Sequence, residues 1–248
     1  MKLAKPILSI FLIFLLNQCK KDDSNSSSKQ SAGKLANAYL SDKSFKSLEI
    51  EILYESGTPP EVGTLDSIKS FLSKRLNKSE GINIYFKKIP DQQQSTYQLE
   101  EIESIEQTYR SLRNRPSIIT ASYFYANGNY SGDSDQSKTL GIAYGSTSMV
   151  IFAKTIRDMS GDLGQASTDI VEQSVMKHEF GHLLGLVNVG TPMVNNHQDT
   201  AHGKHCDNDN CLMHWSIESG DFISNLIGSS PPQLDVNCMA DLRANGGK

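Results

Sequence analysis

A chain of 248 residues, 38% hydrophobic and 21% charged, is long enough to bury a substantial core as one large domain or two small ones. Its formal charge is −4, and loss of an N-terminal stretch containing Lys2 and Lys5 would leave it at −6. That balance excludes the basic surface with which a protein grips nucleic acid.

The opening "MKLAKPILSIFLIFLLNQC" places a short basic region before an apolar run from Ile7 to Leu16, followed by Cys19. A permanent bilayer span needs about 20 apolar residues, so the run suits a secretory signal. Leu16, Asn17, Gln18 and Cys19 resemble the bacterial lipobox, although Asn17 and Gln18 stand where that motif has small residues. The resemblance implies a signal peptide over residues 1–18, a lipidated Cys19, and an exported protein anchored to a bacterial membrane, periplasmic or at the cell surface. A soluble secreted product is the alternative. The polar, serine-rich "KKDDSNSSSKQSAGK" that follows cannot bury enough surface to fold, so residues 19–45 are expected to act as a flexible tether.

From residue 46 onward strands and helices alternate, and residues 46–248 are expected to form one domain. Residues 47–55, "SLEIEILYE", alternate apolar and polar positions as a strand does. Residues 64–78 carry Leu65, Ile68, Phe71, Leu72 and Leu76 on one helical face. A strand over 82–89, a helical run over 96–113 and a β-branched and aromatic strand over 117–126 come next. This order predicts a mainly parallel sheet. After a glycine- and serine-rich stretch, strands at 139–145 and 148–156 lie a turn apart and should pair antiparallel, leaving the first at the sheet edge. An open edge accepts an extended peptide as an extra strand.

Residues 167–185, "STDIVEQSVMKHEFGHLLG", read as a helix with a polar start. Positions four apart share one helical face, so His178 and His182 reach a common ion, with Glu179 close beside it. That pattern suits a zinc peptidase, with two imidazole ligands and a carboxylate base for the attacking water. Gly185 can take the left-handed conformation that ends a helix. The third ligand is less direct, because Asn188 stands where an imidazole is expected and an amide oxygen is a poor zinc donor. His205 is the leading candidate. His197, His202, His214 and Glu218 are its rivals, His197 and His202 reading otherwise as solvent-exposed loop residues.

Through His178, Glu179, His182 and Gly185 the chain resembles the metzincin clan of zinc proteases. It is most similar there to archaemetzincins, whose motif continues as His-Cys-x-x-x-x-Cys-x-Met. His205, Cys206, Cys211 and Met213 reproduce that spacing, displaced by the 17 residues 188–204. Lengthening a connection from about 2 to about 19 residues costs roughly 2 kcal/mol of closure entropy. Structural zinc binding releases an apparent ~10–16 kcal/mol, so the insertion does not exclude the site.

The resemblance implies an α/β (α+β) metzincin-like zincin: a mixed twisted sheet with an antiparallel edge strand, an active-site helix, and an irregular C-terminal subdomain ending in a helix. It further implies a zinc-dependent endopeptidase acting on peptide or protein substrates, with Glu179 as general base. Its zinc would be held by His178, His182 and His205 over a methionine turn at Met213. Substrate would lie along Gly141, Ile142, Ala143 and Tyr144. Archaemetzincins bind a second, structural zinc through four cysteines. Here Cys206, Cys211 and Cys238 remain and Asp235 stands in the fourth place, so the three thiols imply either a second zinc or a disulfide between Cys238 and one of the others. The chain is expected to be a monomer. A non-catalytic surface-binding lipoprotein on the same fold is the rival, and no latency device is evident.

Overall fold

The computed structural model describes residues 30–220, 223 and 230–248. The expected signal peptide, the lipidated Cys19 and the first part of the tether lie outside these residues. In chain order the elements are α1 (Ala36–Leu40), β1 (Phe45–Tyr54), α2 (Thr64–Ser73), β2 (Gly81–Lys88), β3 (Thr96–Tyr97), α3 (Leu99–Tyr109), β4 (Ser117–Tyr125), β5 (Asn129–Tyr130), β6 (Gly141–Ala143), β7 (Ser148–Ile151), α4 (Ala153–Met159), α5 (Thr168–Leu183), a 3-10 turn (Trp215–Glu218) and α6 (Val236–Ala244).

The main sheet has the order β2-β1-β4-β7-β6. The first four strands are parallel, and β6 closes the edge antiparallel to β7. Strand alternation explains both faces of β1. Leu48, Ile50 and Ile52 pack with Ile119, Ala121 and Tyr123 of β4 against Ile68 and Leu72 of α2 and Val175 and Phe180 of α5. On the other face, Leu53, Phe124, Val150 and Phe152 pack with Ile102 and Ile105 of α3. Glu49 and Glu51 also point to that face and are satisfied there. Arg115 donates to both Glu49 oxygens at 2.8 Å, and the Ser111 and Leu112 amides donate to Glu51 at 2.8 and 3.1 Å.

Three expectations are corrected. The tether does not run to residue 45, because Ala36, Tyr39 and Leu40 recur at helical spacing and are buried on α1, with the Tyr39 hydroxyl donating to the Thr120 carbonyl at 2.8 Å. The strand expected to 156 stops at Ile151, and α4 begins two residues later with Ala153 and Ile156 facing the core. The edge strand is shorter than expected, and Tyr144 lies beyond it. The Tyr144 hydroxyl donates at 2.6 Å to Glu106, which forms a buried ion pair with Arg110 at 2.6 Å, so the β6–β7 hairpin is pinned to α3.

Candidate metal centre

α5 is buried along most of its length, from Val171 to Leu183. Ser167 is its N-cap residue, and Glu172 in the next turn is buried and accepts the Glu61 amide at 2.9 Å. At the other end Gly185 adopts φ +73, and a Cβ there would lie 2.7 Å from the Thr191 amide nitrogen and 2.8 Å from the Ala36 Cβ. Only glycine fits this turn. Asn188 follows, exposed and itself at φ +63.

His178 and His182 lie on one face of α5, with Nε2 atoms 3.1 Å apart. The chain returns at His205, whose ring stacks on His178 with centroids 5.3 Å apart. Glu218, at the end of the 3-10 turn, completes the group. Its Oε2 lies 3.6, 3.8 and 3.4 Å from Nε2 of His178, His182 and His205. The four donors all lie within 4.8 Å of one another. Nδ1 of His178 donates to the Leu212 carbonyl at 2.7 Å, and Nδ1 of His205 to the His202 carbonyl at 2.7 Å. A carbonyl can only accept, so these bonds place each proton on Nδ1 and leave Nε2 as a lone-pair donor. Nε2 of His205 is buried without a hydrogen-bond partner among the described residues, and these donors fit a divalent metal such as zinc.

Burial holds the pKa of His182 down at about 4. Burial acts against protonation of His205 too, but contact with Glu218 outweighs it and raises that pKa. Burial would likewise raise Glu218, yet the three imidazoles hold its carboxyl far below the ordinary range.

Glu179 projects beside this group, fully buried, and neither of its oxygens meets a donor at hydrogen-bond geometry among the described residues. Burial, then the Glu218 carboxylate, hold its pKa well above the ordinary range, against a smaller opposing pull from the Ala143 N–H. β6 passes close by: a Cβ on Gly141 would lie 2.8 Å from Oε1 of Glu179 and 2.7 Å from Val175. A cleft of about 310 Å³ opens here, lined by Gly141, Ile142 and Ala143, by His182, His205 and Glu218, and by Val189 and Lys204 at the two ends of the insertion. The side chain of Tyr144 is half-buried at Glu106 and is absent from the cleft lining. Met213 is buried beneath α5, and Cys206 donates its amide to the Met213 carbonyl at 2.8 Å.

The other histidines lie elsewhere. His202 is exposed and stacks on Trp215 with centroids 4.3 Å apart, and Nδ1 of His214 lies 2.8 Å from the Ser216 hydroxyl. His197 is buried rather than solvent-exposed, because it joins a second group of donors with Cys206, Asp235 and Cys238. Its Nδ1 is 3.3 Å from the Cys206 sulfur and its Nε2 2.8 Å from Asp241, the arrangement by which a carboxylate orients a ligating imidazole. Cys211 and Cys238 have sulfurs 3.6 Å apart. Two thiolates on one tetrahedral zinc would stand about 3.8 Å apart, and a disulfide about 2.0 Å. All three cysteines are unbridged. Asp235 also caps α6, accepting the Cys238 amide at 2.9 Å. Sequence reasoning named His197 and Glu218 only as rival third ligands and missed the place of His197 in the second donor group, the position of Glu218 beside all three imidazoles, and the close approach at Gly141; only the concentration of all six histidines between 178 and 214 hinted at the first.

A mostly parallel sheet with an antiparallel edge strand, laid against a helix that ends in a left-handed glycine, is a metzincin-like α/β architecture. Among solved structures the chain is similar to an archaemetzincin from Methanopyrus kandleri, with a TM-score of 0.51 and 14% identity, covering 81% of this chain and 96% of that one. The fold is archaemetzincin-like. The chain is also similar to metalloproteinase-II from Bacteroides fragilis, with a TM-score of 0.43 and 15% identity, covering 84% of this chain and 56% of that one. No protein-family model and no curated protein matches the sequence.

Proposed function

We propose that the chain is an exported zinc-dependent endopeptidase. The convergence of three buried imidazole Nε2 atoms beside the buried carboxylate of Glu179 carries this proposal, and the archaemetzincin-like fold agrees with it. His178, His182 and His205 are the residues that hold zinc. The chemistry zinc supplies when bound is Lewis-acid activation of water and of the scissile carbonyl. Glu179 accepts the proton of the attacking water on a carboxylate oxygen and passes it to the leaving amine. The outer edge of β6 orients an extended peptide along the cleft, and Met213 packs as a soft floor under the ligands.

A second zinc in a structural role is part of the same proposal. Cys206, Cys211 and Cys238 supply thiolates, and His197 and Asp235 are the two candidates for the fourth donor. The sequence further supports anchoring to a bacterial membrane through lipid on Cys19, which mass measurement of the mature N-terminus in wild type and Cys19→Ala would test.

The deciding experiment measures zinc content and cleavage of a broad peptide library by the purified chain, with and without Glu179→Ala. The expected result is cleavage by wild type that Glu179→Ala abolishes while zinc is retained. Zinc binding with no cleavage of any peptide would favour the non-catalytic surface-binding alternative.

A further inference from the structure

Glu218 does more than line the cleft. In a tetrahedral shell with ligand distances of 2.0–2.1 Å, neighbouring donors stand about 3.4 Å apart. One carboxylate oxygen at 3.6, 3.8 and 3.4 Å from three imidazole nitrogens lies at the fourth corner of such a shell. An open catalytic site keeps that corner for solvent or substrate.

The backbone around Glu218 occupies a second position of consequence. The Leu140 amide donates to the Glu218 carbonyl at 2.9 Å, the Gly220 amide donates to the Lys138 carbonyl at 2.9 Å, and Thr139 and Ser219 form an antiparallel bridge. The segment 218–220 therefore pairs with the residues leading directly into β6, at the sheet edge where an added peptide strand would lie. Of the four donors Glu218 is the one free to leave. Its side chain is 35% exposed, against 0, 6 and 9% for His178, His182 and His205.

We propose that Glu218 is a fourth protein ligand of the catalytic metal, and that its segment fills the adjoining edge position, so that the resting chain is closed to small zinc ligands. This rests on the proposal that the three histidines hold a metal. A peptide that extends along β6 past Gly141 must displace residues 218–220 from residues 138–140, and the same movement withdraws the carboxylate. Opening is then coupled to occupation of the edge, and a short ligand that makes no strand contacts meets the closed form.

The test uses the full chain loaded with cobalt(II), titrated with acetohydroxamate and followed by the visible d–d absorption. Thiolate-to-cobalt charge-transfer bands separate the cysteine cluster from the histidine site. Wild type, Glu218→Ala and Glu218→Gln are compared, the glutamine keeping the size and backbone pairing, with thermal melts verifying folding. If the closed form predominates by about tenfold, both variants should bind acetohydroxamate about 10-fold more tightly than wild type, since apparent affinity scales with the open fraction. Equal affinity in all three would overturn the Glu218 assignment and leave the metal site standing. A cobalt d–d band that His178→Ala leaves unchanged would instead overturn the metal site, and the Glu218 assignment with it.

Discussion

The sulfur of Met213 rests against the backbone of Gly181, one turn below His178 on the same helix, so that a Cβ built on that glycine would overlap the sulfur. In an ordinary helix interior, replacing glycine with alanine stabilises by about 1 kcal/mol. Here the sign should reverse. Gly181→Ala must push Met213 aside, and overpacking of this kind costs about 1–3 kcal/mol, so denaturant unfolding should show a net loss. A gain in stability would mean that Met213 has room to move.

His205 and Asn188 compete for the third ligand position by sequence, and their surroundings separate them. His205 is buried with Nε2 in the donor group, whereas Asn188 is exposed at a left-handed turn. Loss of a partner one shell further out weakens metal affinity by about 10–100-fold, and His205→Ala should exceed that. Asn188→Ala should leave zinc affinity nearly unchanged. Chelator competition measures both.

Glu172 predicts a pH dependence of stability. Burial raises its pKa from 4.5 to about 7, partly offset by the Glu61 amide. Between those values the folded chain holds a proton that the unfolded chain has released, so stability from this group falls as pH rises through the window and is lowest above about 7. Glu172→Gln removes the penalty and can still accept the Glu61 amide. The variant should be more stable than wild type at pH 8, by up to about 3 kcal/mol, and should lose that advantage near pH 4. Melting at the two pH values measures it; a constant difference would contradict it.

The thiols of Cys206, Cys211 and Cys238 distinguish metal from disulfide. With metal bound, a thiol reagent should react slowly at all three, and a chelator should expose them without any reductant. Contacts from Cys206 and Cys238 lower the pKa of Cys211, which favours its thiolate, the form that binds metal. Two cysteines that stay unreactive after chelation until reductant is added would indicate a disulfide instead.

Much of this fold was legible because its signals are local. The strand–helix alternation and the two histidines on one helical face follow from residue periodicity within one element, and the antiparallel edge from the turn-length gap between two neighbouring strands. Gly185 was legible for the same reason, since a positive φ at a helix end is a one-residue requirement. What escaped depends on distance in space. Nothing next to Glu218 in sequence says that it will lie against three imidazoles from two other segments. His197 sits in a polar stretch, and its ring meets Cys206 on the far side of the same loop and Asp241 of α6, 44 residues on, which periodicity does not reveal. The early helix at Ala36–Leu40 was hidden by its serine-rich neighbours, although the spacing of Ala36, Tyr39 and Leu40 was there to be read.

The two donor groups share a backbone. His205 and Cys206 are consecutive, the Leu212 carbonyl that orients His178 lies next to Cys211, and the Met213 amide donates to the Cys211 sulfur at 3.4 Å. A long irregular excursion such as residues 188–204 gives the imidazole it delivers little intrinsic rigidity, so the aim of that ring is set from behind, by the sulfur knot one peptide bond away. Loosening the knot would misalign the His205 ring without touching it.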